Sequence, residues 1–153
     1  MSTALPSSQT EEPALTDVDF RDQAAFRAAV RRFLRVSEEQ ARRHGVTPQQ
    51  HLVLLVVRGH PRYPHVSVGN VAEALQLRHH SASLLVDRGV DRGLLVRTRD
   101  ENDRRRVQIA LTVQGQDVLA AITLANREQL HTLKSQFLRE QLWENIVGYD
   151  DAS

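Results

Sequence analysis

The spacing of apolar residues changes part-way through the segment from Val66 to Leu111. Apolar positions first recur every three or four residues, in two short runs with a polar interruption, and then alternate with polar positions. The first spacing predicts two helices and the second predicts two β-strands. Helix, turn, helix and β-hairpin in this order make a winged helix-turn-helix, so we predict a mainly α fold with a small β-hairpin wing.

The first helix of this segment is predicted to begin at Ser67, whose hydroxyl can accept a hydrogen bond from a free backbone N–H. The positions expected to face the core at helical spacing are Val71, Ala74 and Leu75. Gln76 to Arg78 would then form the turn. Leu77 is apolar, so we expect it to be buried between the two helices.

The second helix, predicted from His79 to Arg92, is the one that enters the major groove of duplex DNA in this type of fold. Its expected core positions are Ala82, Leu85, Val86 and Val90. Gly93 would end the helix, because glycine adopts the left-handed conformation without strain. Strands are predicted at 94–99 and 106–111, and the polar residues 100–105 between them would form the tip of the wing.

Several motifs of this region occur in the order found in the MarR family of bacterial transcriptional regulators. They are Val86–Asp87–Arg88, Arg92–Gly93–Leu94–Leu95, the loop from Asp100 to Arg105, and Leu111–Thr112 followed by Gly115. Each motif is weak alone, but their combination is specific, and the chain resembles the family from about Phe20 to Phe137. Two positions depart from the pattern. Gly89 replaces a large apolar residue, and Arg78–His79–His80 replaces a Ser-Pro-Ser-like start.

The resemblance implies that the second helix and the wing contact double-stranded DNA. The residues expected to do so are His79, His80, Ser81, Ser83, Arg88, Arg104 and Arg105. Asp87 is expected to pair with Arg104 and so hold the hairpin against the helix. The resemblance also implies control by a small, often aromatic or anionic, ligand bound where the dimer helices meet the DNA-binding lobes. His51 and Arg31 are candidates for that neighbourhood, although the sequence does not identify the binding residues.

Long amphipathic helices are predicted on both sides of the winged helix. The first spans about 19–44 with an apolar stripe of Phe26, Val30, Phe33 and Leu34. The second follows Thr112 as its cap, with Val118, Leu119, Ile122, Ala125, Leu130, Leu133 and Phe137, and a last short helix carries Leu138, Leu142, Trp143, Ile146 and Val147.

Apolar faces of this width must be buried against something, and the resemblance implies a homodimer in which these helices interleave. The expected interface residues are Phe20, Phe26, Phe137, Leu142, Trp143 and Ile146. A two-fold dimer would place two recognition helices about one turn of B-DNA apart, so the expected operator is an inverted repeat.

The predicted organisation has five parts. They are a disordered arm over 1–18, an N-terminal dimerisation helix over 19–47, a DNA-binding lobe over 48–112, C-terminal dimerisation helices over 113–148 and a tail over 149–153. At the boundary of the lobe, Thr47, Pro48 and Gln50 predict a helix start. The core positions of that helix are expected to be Leu52, Leu55 and Val56.

Net charge alone does not indicate a partner, since 20 basic and 19 acidic residues leave a net charge of +1. The distribution is more informative. Between Arg78 and Arg106 there are eight Arg against five Asp or Glu, and arginine can bind phosphate or guanine through two hydrogen bonds. The chain has no cysteine, which excludes disulfides and thiol switches. With no apolar run of membrane-spanning length and no signal-peptide pattern, a cytoplasmic protein is expected.

Three other classes of function were weighed against DNA binding. The seven His residues suggest a metal site, but adjacent His79 and His80 point about 100° apart on a helix, and no H-E-x-x-H spacing occurs. No metal or cofactor is therefore expected. Ser81 and Ser83 beside these histidines resemble a nucleophile with its base, yet an exposed helix start offers no oxyanion site, so an enzyme is not expected. A winged-helix module that binds only protein or ligand remains an alternative.

Overall fold

The computed structural model describes residues 14–100, 103 and 106–138. Residues 137 and 138 are described by their backbone alone. The helices are α1 (Asp17–Arg43), α2 (Pro48–Gly59), α3 (Val68–Ala74), α4 (His79–Asp91) and α5 (Val113–Leu138), and the strands are β1 (Leu95–Arg99) and β2 (Val107–Leu111). This order confirms the predicted winged helix-turn-helix. Within these residues, no helix combines the length and the apolar character needed to cross a membrane.

Helix α1 begins two residues earlier than predicted, at Asp17, so the expected boundary between residues 18 and 19 falls inside the helix. The reason is local. The carboxylate of Asp19 accepts hydrogen bonds from the backbone N–H of Thr16 at 2.7 Å and from its hydroxyl at 2.8 Å. These bonds lower the pKa of Asp19, the backbone bond contributing most, and they cap the first turn.

Helix α2 buries a different face from the predicted one. Leu52 and Leu55 are exposed and Val56 is half-buried. The buried side chains are His51, Val53, Leu54 and Val57. The run from Leu52 to Val57 is apolar at every position, so its periodicity selects no face. The packing of α2 against α1, α4 and β2 makes the selection instead.

The main hydrophobic core lies between α2, α3, α4, the hairpin and α5, and its largest fully buried side chains include Leu54, Ile109 and Ile122. Strands β1 and β2 pair antiparallel, with Leu95 opposite Leu111 and Arg99 opposite Val107. The N–H of Ile109 also donates to the carbonyl of Val66 at 2.7 Å. Because Val66 immediately precedes the cap of α3, this bond ties the hairpin to the helix-turn-helix.

The base of the wing is joined to α5 by Thr112 and Gly115. The Thr112 hydroxyl donates to the carbonyl of Gly93 at 2.6 Å and accepts from the N–H of Gly115 at 3.0 Å, so it caps α5 as predicted. A Cβ added at Gly115 would lie 2.0 Å from the carbonyl oxygen of Leu94. Since that atom belongs to the backbone and cannot move aside, only glycine fits at this junction.

Helices α1 and α5 pack along each other and form a second, smaller cluster. Ala29 and Leu133 are buried in it, with Val30 and Phe33 packed against them. The buried side chain of Asn126 donates to the hydroxyl of Ser37 at 3.1 Å across the same contact. The packing of the two helices therefore includes one polar contact that favours a particular register.

Two of the apolar positions predicted from helical spacing, Ala74 and Ala125, are exposed. Phe26 and Leu34 of the α1 stripe are also exposed in the single chain, and their burial against a second copy stays a prediction. The alanines lie just off the buried sector of their helices, because spacing alone fixes a face only to within about one position. The predicted interface residues Leu142, Trp143 and Ile146, and the side chain of Phe137, lie outside the described residues.

The buried imidazole of His51 makes stability depend on pH. Burial lowers the pKa of His51 below its ordinary value of 6.5. As pH falls below that value, the unfolded chain takes up a proton that the folded chain resists, so the free energy of unfolding should decrease. Urea denaturation of the native chain and of His51→Leu, measured from about pH 7.5 to about pH 5, checks this. The decrease should be smaller in the variant, and identical slopes would contradict the assignment.

Candidate nucleic-acid interface

The turn between α3 and α4 is built from a capped start and a defined end of α3. Ser67 Oγ accepts from the N–H of Asn70 at 3.2 Å, and Asn70 Oδ1 accepts from the N–H of Ser67 at 3.0 Å. At the other end, Gln76 adopts a φ of 53°, and the N–H of Leu77 donates to the carbonyl of Ala72 at 2.9 Å. This Schellman arrangement ends α3 and redirects the chain into α4.

Leu77 is not buried between the two helices as predicted, because 39% of it is exposed. Its backbone N–H, rather than its side chain, contributes to the turn by completing the end of α3. The side chain instead lies in a shallow apolar groove on the surface of the lobe, together with Leu52, Leu75 and Leu85.

Helix α4 has one buried face and one exposed face. Ala82, Val86 and Gly89 are buried, and Leu85 and Val90 are partly buried beside them, as predicted for four of these five positions. The opposite face is exposed and carries His80, Leu84, Asp87, Arg88 and Asp91. The N-cap residue Arg78 makes no side-chain hydrogen bond to the first turn. An incoming anion can therefore accept hydrogen bonds from the N–H groups there.

The predicted contact residues of α4 surround this exposed face. His79 and Ser83 line a cleft of about 910 Å³ between α4, the start of α3 and the wing. Ser81 and Arg88 line the apolar groove on the other side of α4, which measures about 380 Å³. His80 is exposed as well. These five residues therefore lie on one continuous surface, whereas Arg104 and Arg105 fall outside the described residues.

A side chain that the sequence analysis did not select, Arg97, joins the wing to α4. Its Nη2 lies 2.6 Å from Asp87 Oδ1 and 3.3 Å from Ser83 Oγ. Arg97 is thus the partner of Asp87 that the structure shows, and the expected pairing of Asp87 with Arg104 stays a prediction. Both side chains are partly exposed, so the pair contributes only about 0.2–1 kcal/mol to stability. Its main effect is on the position of the hairpin.

The strand pattern contains a signal that would have identified Arg97. Alternate residues of a strand point to the same face, so Leu95 and Arg97 share one face of β1. Leu95 is apolar, so its face of the strand is expected to point toward the core. Arg97, two residues further on, is therefore expected on the same face as Leu95, and the structure shows that Asp87 of α4 is its partner there.

A second set of polar contacts holds the stem of the wing. Gln108 Oε1 lies 3.0 Å from Nδ1 of His65, and Gln108 Nε2 donates to Asp100 Oδ2 at 2.8 Å. His65 belongs to the loop before α3, whereas Asp100 lies where β1 leads into the wing loop. Gln108 thus connects the two ends of the cleft. No periodicity in the sequence marks it, because it occupies an ordinary polar position of β2.

Comparison with known proteins points to the same family. A sequence profile of the MarR family matches residues 44–106, from the end of α1 to the start of β2. The HTH-type transcriptional repressor MdtR of Bacillus subtilis is 28% identical over 133 residues, which are 87% of this chain and 81% of MdtR. The winged helix-turn-helix of this chain therefore matches the MarR family, and the likeness to MdtR extends over most of the chain.

Solved structures agree with this likeness. A MepR mutant of S. aureus bound to an oligodeoxyribonucleotide is 25% identical and has a TM-score of 0.60, covering 83% of this chain and 94% of MepR. RV1404 of Mycobacterium tuberculosis is 23% identical and has a TM-score of 0.69. The match covers 92% of this chain and 100% of RV1404. In sequence and fold this chain therefore resembles transcriptional regulators of the MarR family.

The departure of this chain from the MarR pattern at Gly89 has a steric cause. A Cβ at this position would lie 2.6 Å from Cδ1 of Leu95 and 3.1 Å from its Cγ. Leu95 is almost fully buried and fills the space that a larger residue of α4 would occupy. The glycine therefore allows β1 to approach α4 closely.

Gly89→Ala should destabilise the fold by about 1 kcal/mol. The overlap with Leu95 costs more than the roughly 0.5–1 kcal/mol that alanine gains over glycine in a helix. Denaturant unfolding in the native chain and in a Leu95→Val background measures this, and the cost should shrink in the second because Cδ1 is removed. Gly69→Ala is the matched control, since its Cβ would meet only Ser67 Oγ at 3.5 Å. An equal cost of Gly89→Ala in both backgrounds would rule out Leu95 as the obstacle.

Proposed function

We propose that this chain is a homodimeric repressor of the MarR family that binds an inverted-repeat operator and is released by a small aromatic or anionic ligand. The observation that carries the proposal is the exposed face of α4, whose first turn lacks a side-chain cap and which lies beside a hairpin held by Arg97. The relatives support it, because MepR is bound to an oligodeoxyribonucleotide and MdtR bears the name of a repressor.

In the proposed complex, α4 enters the major groove and the wing reaches the adjacent backbone or minor groove. His79, His80 and Ser81 lie in the first turn, where side chains and backbone N–H groups together can donate to phosphate. Ser83 and Arg88 lie further along α4 and can reach base edges or phosphate. Arg104 and Arg105 supply the cations of the wing.

The dimer is proposed from apolar side chains that this chain leaves uncovered. Val18, Phe20, Phe26 and Leu34 are exposed along α1, and Leu124 is exposed on α5. Isolated exposed leucines are ordinary, but a series along 27 residues of one helix is typical of an interface. A second copy of the chain would cover this face, with Leu142, Trp143 and Ile146 contributing from beyond the described residues.

The ligand is proposed to bind along the same helix. A shallow cleft of about 870 Å³ along α1 is lined by apolar side chains, by Arg27, Arg31 and Arg35, and by Gln23 and Glu38. An apolar floor with a cationic rim suits an aromatic anion. The second copy would supply the opposite wall. His51 does not line this cleft, so Arg31 is the better supported of the two candidates.

Operator binding is tested by selecting bound sequences from a random pool of duplex DNA. An inverted repeat should emerge, with affinity that decreases as salt rises. Arg105→Ala should make the slope of log affinity against log salt shallower by about one per subunit, because one phosphate contact is lost. Arg127→Ala on α5 is the control and should leave the slope unchanged. Failure to select any sequence would favour the module that binds only protein or ligand.

The dimer is tested by sedimentation at micromolar concentration. The full chain should sediment as a dimer, and Phe20→Glu should weaken it at least tenfold, because a charge would be buried in an apolar interface. Leu55→Glu places a charge at a comparably exposed position of α2 and should leave the dimer intact. Deleting residues from 138 onward should also weaken the dimer. A full chain that is a stable monomer would refute this part of the proposal.

A further inference from the structure

We propose that Leu84 determines the sequence preference of the operator at one base pair of each half-site, by contacting the methyl group of a thymine. This inference rests on the proposed binding of DNA by α4. Leu84 is not among the DNA-contact residues expected from the sequence, and the group that it would recognise is an apolar methyl.

Leu84 lies in the middle of α4 on the side opposite the core. Counting about 100° per residue, it points about 140–160° away from Ala82, Val86 and Gly89, which are all buried. Of the Leu84 surface, 45% is exposed. The side chain therefore projects outward from the helix that would lie in the groove.

Along α4 itself, the neighbours of Leu84 on this face are polar, and on one side Leu84 borders the apolar groove with Leu52 and Leu77. His80 and Arg88 lie one turn before and one turn after it, and Asp87 and Asp91 complete the face. Leu84 is thus the single apolar residue on the outward face of α4. In the proposed complex this face of α4 lies toward the bases of the major groove, so Leu84, at its centre, is the apolar side chain that would meet a base edge.

The major groove offers one apolar group, which is the C5-methyl of thymine. Adenine, guanine and cytosine present only hydrogen-bonding atoms there. Leucine has no donor or acceptor, so those atoms would lose water without gaining a partner. Leu84 should therefore favour thymine over cytosine in particular, because the two pyrimidines occupy the same space and differ in the methyl and the exocyclic group.

The apolar groove beside α4 gives the matched control. Leu84 and Leu52 both line it, and Leu52 is 46% exposed. If Leu84 acted only by packing into this groove, Leu52→Ala and Leu84→Ala would change DNA binding in the same way. Both residues are exposed, so both variants should fold, and thermal melts would verify it.

The experiment uses the full-length protein and the duplex selected from the random pool. Each thymine of a half-site is replaced in turn by uracil, which removes one methyl group and leaves the hydrogen-bonding pattern unchanged. The native chain should lose affinity roughly fourfold at one thymine per half-site, and about sixteenfold when both half-sites are changed. Leu84→Ala should lose this sensitivity at that position, whereas Leu52→Ala should keep it.

Three results would overturn the inference, and each has a different meaning. If the native chain and Leu84→Ala have the same profile of uracil sensitivity on a selected operator, Leu84 reads no methyl group, and the proposed DNA binding still stands. If no sequence can be selected, the proposed function fails and the inference fails with it. Loss of the sensitivity in Leu52→Ala as well would assign the effect to the groove and would likewise overturn the reading.

Discussion

The close approach of β1 to α4 is the constraint on which the proposed DNA-binding surface depends. Leu95 packs against Gly89, where a Cβ would lie 2.6 Å from its Cδ1, and two residues further along the strand Arg97 reaches Asp87 and Ser83. The apolar contact sets the distance between strand and helix, and the ion pair sets the direction of the hairpin. In the proposed complex the helix and the wing contact the same rigid duplex. The distance between them and the direction of the hairpin therefore both have to be fixed.

The same hairpin is connected to the rest of the molecule at its other edge and at its base. Ile109 bonds to Val66 ahead of α3, and Thr112 bonds to Gly93 while it caps α5. Gly115 lets the first turn of α5 lie against the carbonyl of Leu94. The long helix that packs on α1 is therefore anchored directly to the wing. In the proposed dimer, this anchor would link the spacing of the two subunits to the placement of their wings.

Local sequence patterns predict the helices and strands of this chain correctly, but they do not predict contacts between distant segments. The helices, the strands, the capping roles of Ser67 and Thr112 and the end of α4 at Gly93 follow from local rules, because each depends on residues within about four positions. The core face of α2 and the burial of Leu77 were predicted wrongly. In α2 every position from Leu52 to Val57 is apolar, so neither choice of face violates the pattern. Arg97 and Gln108 were missed because their partners are distant in the chain.

The order of the elements, the resemblance to the MarR family and the outward face of α4 can all be read from the amino-acid sequence, since hydrophobic period, caps and motif order are local properties of the chain. The pairing of Arg97 with Asp87, the close packing of Leu95 against Gly89 and the exposed fraction of Leu84 are visible only in the folded structure. These features depend on the distance between segments that are far apart in the sequence, and local patterns of capping and periodicity do not determine that distance. That distance is set by how the whole core packs.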